Sequence, residues 1–596
     1  MLYLVMMHPP ENPGGARSLQ SSMGMSRGFG IFAATVIIAA TLVGGTVARS
    51  TYRPTPRAAQ SKAASHSRTA DNLEGDYGEA LHLVSSNYAG EIDYEKATQA
   101  AIQGMLQTLD PHSNFFTQSE FAKLKEDQGS RFIGVGITIL QHRDGVYVQS
   151  AVEGTPAARA GLRYGDRIVE VDGKDARDWN SEQVSKNVRG ERGEPVRLKI
   201  ERAGVEAPVY VTIVREAVPL PSIRNAYMIR PGTGYIGLNG GFQQTTGDEL
   251  HEAIENLKAQ GMRQIILDLR NNPGGLLDQA IDVASEFLPR GQTVVSVRGR
   301  DEKREVVHRS TGTDPTSDPL VVLINRNSAS ASEIVAGAMQ DYGRGLIVGE
   351  SSFGKGLVQR VFQLPFGTGL TLTTARYYTP YGRSLQRSYA SGSYYDYYVR
   401  HQQAEETQGQ RPSQPQQQPL AAVPSPTPTP QPTPAGPAVK TAAGRVFYGG
   451  SGIAPDIEVK PLAATPVRGR IAEAAFYFTR ELAAGQIPGL ESYRVEKVEF
   501  NHNPRPTDYA ITAAVIEAFR NFLKRDEAQG LQPAQLDEEL DFVKLRLREE
   551  IITAAYSSDM GVRILLDSDP QVLRALEALP EAKRLAETTR NAVPVG

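Results

Sequence analysis

Leu320-Val-Val-Leu-Ile324 runs directly into Asn325-Arg-Asn-Ser-Ala-Ser-Ala-Ser-Glu-Ile334 and then into Val335-Ala-Gly-Ala-Met-Gln-Asp341. A short apolar run closed by a polar turn predicts a strand buried on both faces. Beyond the turn, Ile334, Ala338 and Met339 recur at helical spacing. Ser328, Ser330 and Ser332 therefore lie on a strand-to-helix turn of an α/β unit. A serine there has unused backbone N–H groups and the positive end of a helix beside its hydroxyl. A nucleophile and an oxyanion site can be built from one such turn. Ser330-Ala-Ser-Glu333 also fits a capping box, which gives a serine a purely structural job. On this stretch alone the cap is the simpler account.

The flanking sequence extends the α/β pattern. Tyr235–Leu238 predicts a strand, and a helix runs from Thr246 to about Gly261. Gln264–Leu269 predicts a buried strand that ends in Arg270-Asn-Asn-Pro-Gly-Gly275, with a helix over 276–287. Two glycines between a strand and a helix make an anion-binding turn, or a plain loop. Downstream, Gly349-x-x-x-x-Gly354-Lys355 nearly spells a phosphate-binding loop. Gly356 stands where the magnesium-binding Ser or Thr is required, which excludes the nucleotide reading. Thr371–Tyr378 predicts a further strand. Lys355 can serve as a base only when neutral, and its free pKa is about 10.4. Burial can bring a catalytic lysine to roughly 7–8. Gly354 and Gly356 let the backbone approach a neighbour closely. Gln359, four residues on, falls on the same side and can hold the amine without adding charge.

The chain has 596 residues, enough for several domains. Its net charge of -3 argues against a nucleic-acid partner. With no cysteine and nine scattered histidines, neither a thiol nucleophile nor a metal site is expected, and no cofactor is implied. Arg17 and Arg27 precede an uncharged stretch, 28–48, of 48 − 28 + 1 = 21 residues, long enough to span a bilayer. It predicts a signal peptide or an inner-membrane anchor, with 1–27 cytoplasmic, 49–71 a linker and the rest exported to the periplasm or cell envelope. Residues 72–125 predict helices, with Tyr77, Leu81 and Val84 on one face and Ala97, Ala101, Met105 and Leu109 on another. His112, after a proline, suits a local hydrogen bond. Short strands follow from Phe132 to Val214. Residues 402–440 are Pro/Gln-rich, with ten of the 38 prolines between Arg411 and Lys440, and predict an extended or disordered spacer. Gly449–Asp456 resumes the α/β pattern, so 441–467 close that domain. From 468 to 596 the chain predicts helices. The stripes Ile511, Val515, Phe519, Leu523 and Leu536, Leu540, Val543, Leu547, Ile551 suit core packing, with a dimer contact or an adaptor left open.

Two resemblances rest on these residues. Gly134-Val-Gly-Ile137, followed by Ala160-Gly-Leu-Arg-Tyr-Gly-Asp-Arg-Ile168, resembles a PDZ domain spanning 126–216. That family presents the backbone N–H groups of such a loop, here Gly134, Val135, Gly136 and Ile137, to a peptide's terminal carboxylate. Asp268–Gly275, Ser328–Ile334 and Phe353–Gln359 resemble the three signatures of the carboxyl-terminal processing proteases, which are serine peptidases of family S41. Leu109-Asp-Pro-His-Ser113 and Tyr377–Arg383 match in the same order. The family's serine precedes its lysine by 25 positions, and 355 − 25 = 330. The resemblance therefore implies Ser330 as nucleophile, Lys355 as general base and Gln359 as its orienting partner. It implies the N–H groups of Ala331 and of Gly274 or Gly275 as the oxyanion hole. The implied fold is a crotonase-like (ββα) α/β protease core, 217–401, with an inserted β-rich PDZ domain and helical regions at both ends. Substrates would be proteins or peptides with free C-termini. A non-catalytic PDZ scaffold on the same fold is the alternative.

Overall fold

The computed structural model describes residues 70–301, 304–389, 397, 436–442, 444–500, 502–526 and 530–592. The apolar stretch 28–48 and most of the Pro/Gln-rich run, 402–435, lie outside these residues. Among the described residues no helix is long and apolar enough to cross a membrane. The described residues up to Ala97 and those from Thr98 onward form two separate units. In the first, helix Ala70–Asn87 leaves Tyr77 and Val84 exposed. In the second, Met105 and Leu109 are exposed. These expected apolar faces are thus covered only in part, with Leu81 and Ala101 half-buried.

The core of the large unit is a six-stranded sheet in the order Ile223–Arg230, Thr233–Leu238, Gln264–Asp268, Leu320–Ile324, Leu346–Gly349, Ile457–Glu458. Its first pair is antiparallel and the rest are parallel. Residues 320–324 alternate as a strand must when both faces are covered. Leu320, Val322 and Ile324 face helices Thr246–Ala259, Leu277–Ser285 and Ala331–Asp341. Val321 and Leu323 face the C-terminal helix Pro570–Ala592. The last strand comes from the far side of the insert, so the chain beyond the insert completes this sheet.

A second sheet joins Asn114–Phe116, Gly369–Tyr378, Thr293–Gly299 and Glu305–Arg309, with Leu357–Gln363 paired to Gly369–Tyr378. The strand Asn114–Phe116 corrects the wholly helical expectation for 72–125. Three residues are too few to show a period against helical neighbours. The spacer also ends earlier than expected, because Ala438–Lys440 pairs with Val446–Tyr448.

The PDZ sheet runs Ile137–His142, Gly145–Ala151, Arg167–Val171, Pro195–Glu201, Val209–Val214. Its tyrosines Tyr147 and Tyr164 share a core with Phe476, Val515, Phe519, Val543, Leu547 and Ile551. The stripes predicted in the C-terminal region therefore bury against each other and against the PDZ domain.

Candidate active site

Ser330 is the N-cap of helix Ala331–Asp341, with φ 55° and ψ −112°. A side chain rarely adopts that left-handed backbone, and it turns the residue out of the helical track. Its two neighbours are spent on structure. Ser328 Oγ donates to the Leu269 carbonyl at 2.8 Å and Ser332 Oγ to the Asn272 carbonyl at 3.0 Å, both fully buried. The Ser330 hydroxyl makes no capping bond, and the Glu333 N–H goes to the Ser330 carbonyl oxygen at 2.9 Å. In the acidic half of the box the Ser330 N–H donates to Glu333 Oε2 at 2.8 Å.

Lys355 Nζ donates to Gln359 Oε1 at 2.8 Å. The Gln359 amide nitrogen in turn donates to the His112 carbonyl, which leaves its oxygen turned to the lysine. A register shift between Val358 and Gln359 re-aims this side chain, as bulges beside active sites do. The loop under it is braced by Asp110, whose Oδ1 accepts from the N–H of His112 at 2.8 Å and of Ser113 at 2.9 Å. His112 has the local bond expected of it, and its ring also meets the Tyr397 hydroxyl at 2.8 Å. Burial first, then the charge of Lys355, push the His112 pKa down to about 3, so the ring is neutral. Burial lowers the pKa of Lys355 as well, against the opposing carboxylates of Glu333 and Asp110. A lowered pKa is what a lysine base needs.

Glu333 is the residue that sequence reasoning undervalued. It is fully buried and accepts four hydrogen bonds. Oε2 takes the N–H of Ser330 and of Lys355, each at 2.8 Å. Oε1 takes the N–H of Gly354 at 2.7 Å and the Ser352 hydroxyl at 2.5 Å. One carboxylate thus ties the serine turn to the lysine loop. Burial raises its pKa, opposed by these same bonds. The signal was present as Ser-x-x-Glu spacing, but a local motif does not reveal a partner 22 residues away.

The glycine turn is joined to the serine turn by asparagines. Asn271, at φ 60°, has its N–H on Asn325 Oδ1 at 2.9 Å. Its own Oδ1 accepts from Asn325 Nδ2 and Asn327 Nδ2, each at 2.9 Å. The Asn272 carbonyl accepts the Ala329 N–H at 3.0 Å. At Gly274, φ 97°, a Cβ would stand 2.7 Å from Ser330 Cβ and 2.9 Å from the Ala331 nitrogen. Any side chain would fill the space between them. The Gly274 N–H is committed to Asn272 Oδ1 at 2.9 Å.

In the PDZ domain, Gly136 has φ 83° and a Cβ there would lie 2.4 Å from Thr155, so only glycine fits. The Val135 and Gly136 carbonyls accept from Ala157 and Val152 N–H within the domain. The strand that begins at Ile137 is an edge of its sheet and has helix Ser181–Val188 beside it. That is the arrangement by which a peptide strand is added.

Comparison with known proteins adds to this geometry. The sequence pattern of Peptidase family S41 matches residues 232–399, and that of the PDZ domain matches 147–202. The carboxy-terminal-processing protease of Bartonella bacilliformis is 38% identical over 315 residues, 52% of this chain and 72% of the relative. A CtpA-like serine protease of Staphylococcus aureus is 35% identical over 51% of this chain, which spans 60% of that relative's length. The solved photosystem II D1 C-terminal processing protease is 33% identical, over 52% of this chain and 83% of its own, at a TM-score of 0.31.

Proposed function

The chain belongs to peptidase family S41, among the PDZ-containing carboxy-terminal-processing serine proteases, and from that premise we propose that it is an endopeptidase with a Ser330–Lys355 dyad. Its substrates are exported proteins selected through their C-terminal region by the PDZ groove. The observation that carries this is the Lys355 amine, depressed in pKa by burial and held by the neutral Gln359 amide. Ser330 Oγ attacks the scissile carbonyl while Lys355 takes its proton. Lys355 then protonates the departing amine, leaving an acyl ester on Ser330, and water hydrolyses that ester by the reverse proton route. The Ala331 N–H holds the oxyanion. Commitment of the Gly274 N–H to Asn272 favours Gly275 as the second donor. Ser330 and Lys355 share no hydrogen bond in this structure, so the pair tightens when substrate is bound, as catalytic contacts commonly do. Residues 28–48 deliver the chain to the cell envelope.

The test is cleavage of an unstructured protein with an apolar C-terminus by the full-length chain. Activity should be lost in Ser330→Ala and in Lys355→Ala with the fold intact, and charged residues added at the substrate's C-terminus should slow cleavage. Equal activity in either variant refutes the dyad. An inactive parent that still binds C-terminal peptides would support the scaffold instead.

A further inference from the structure

The C-terminal helical region lies outside the stretch matched by the protease family, residues 232–399. Its last helix, Pro570–Ala592, packs Val572, Ala575 and Leu579 on the back of the six-stranded sheet. The N-terminal end of that helix meets Arg270, the residue that leads into the turn 271–275. We propose that Asp569 and Gln571 are positioning residues for the oxyanion turn and act through Arg270, an inference that rests on the role given to that turn above.

Asp569 Oδ2 and Gln571 Oε1 each accept from Arg270 Nη1 at 2.8 Å. On its other side the guanidinium is held by Asp268, with Nη2 to Oδ2 at 2.6 Å and Nε to Oδ1 at 3.0 Å. Arg270 thus bridges the end of strand Gln264–Asp268 and the C-terminal helix while buried. Its backbone is held as tightly. The Arg270 N–H donates to Asp268 Oδ1 at 2.9 Å, and the Arg270 carbonyl accepts from Asn239 Nδ2 at 2.9 Å. The next residue, Asn271, is the left-handed one. A strained turn persists only when it is held from both ends. The asparagines hold one end, and Arg270 holds the other.

The two acceptors divide their work. Asp569 Oδ1 caps its own helix, accepting from the N–H of Gln571 at 2.8 Å and of Val572 at 3.0 Å, which leaves Oδ2 for Arg270. Gln571 Nε2 donates to the Val459 carbonyl at 2.7 Å, which turns Oε1 to the guanidinium. Removing both acceptors strands a buried cationic N–H. The side chain then has reason to leave for water and to draw the turn with it.

The experiment uses the full-length chain. Asp569→Asn with Gln571→Met keeps a capping oxygen but removes both acceptors from Nη1. Gln571→Met alone returns the Asp569 carboxylate to the same nitrogen. In the first variant kcat should fall about 10-fold or more with KM unchanged, as for lost supporting bonds around other catalytic groups. The pH dependence should keep its shape, and amide hydrogen exchange over 269–276 should accelerate. The second variant should recover both kcat and exchange. The proposal is overturned if the first variant keeps kcat within about twofold of the parent. It is also overturned if the carboxylate fails to restore kcat, or if exchange in the turn does not move. Ser330→Ala is run alongside. Activity surviving in it refutes the serine nucleophile, while the exchange data still decide whether Asp569 and Gln571 hold the turn.

Discussion

Changing Glu333 to Gln is the most direct probe of how the two catalytic loops are held. The substitution keeps size and shape but exchanges one acceptor oxygen for an NH2 donor. With the nitrogen at the Oε2 position, the N–H groups of Ser330 and Lys355 both lose their acceptor. With the amide reversed, the nitrogen faces the Gly354 N–H and the Ser352 hydroxyl, and that hydroxyl already accepts from the Ile453 N–H at 2.7 Å. The second orientation is cheaper and strands one buried N–H, at about 1–3 kcal/mol. Folding recovers part of this, because a neutral amide avoids the burial that raises the pKa of Glu333. Catalysis recovers none of it, since the loop carrying Lys355 has lost an anchor. We expect kcat to fall about 10- to 100-fold, equivalent to roughly 1.4–2.7 kcal/mol, with a melting temperature within a few degrees of the parent. Steady-state cleavage of an unstructured substrate and thermal unfolding of the same preparations measure the two quantities. A variant with parental kcat, or one whose activity loss matches a collapse in stability, refutes the account of Glu333 as the tie between the loops.

Three further outcomes are expected. Gly274→Ala should lose about 10²–10³-fold in kcat without unfolding, because its methyl group enters the space beside Ser330 and the Ala331 N–H; retained turnover would remove that space from the site. Cleavage should rise with pH through a pKa below the ordinary lysine value of 10.5, since burial lowers that of Lys355 and only the neutral amine accepts a proton; a rate profile flat on the acid side would count against Lys355 as base. Burial, then the Glu549 carboxylate, push Glu550 up to about 8 where it meets Tyr164 of the PDZ domain, opposed by Arg546. The folded state therefore binds the extra proton, and the stability this confers is full below the ordinary glutamate value of 4.5 and lost as pH rises through about 8. Thermal unfolding between those limits should show that loss, and Glu550→Gln should flatten it.

Much of the α/β core was legible because its pattern is local. Leu320–Ile324 is apolar at every position, so it had to be a strand covered on both faces, and the serine turn had to follow it. The lysine, its glutamine and the double glycine were legible as separate motifs with separate chemistry. The strand Asn114–Phe116 was not legible, because its existence depends on pairing with Gly369–Tyr378. The helices before it looked amphipathic, but nothing in a sequence reports whether an apolar face finds a partner.

The sequence by itself determined which side chains are available at Ser330, Lys355, Gln359 and Gly274, since residue type and short spacing set chemistry and backbone freedom. Only the tertiary structure decided how they are held. Ser328 and Ser332 spend their hydroxyls on carbonyls just past a strand and in the turn that follows it, 59 and 60 positions earlier. Glu333 joins its own helix end to the lysine loop, and a C-terminal helix closes around Arg270, 299 positions away at Asp569. Burial makes those long-range bonds matter: out of water each polar group needs a specific partner, and chain folding, not sequence proximity, supplies it.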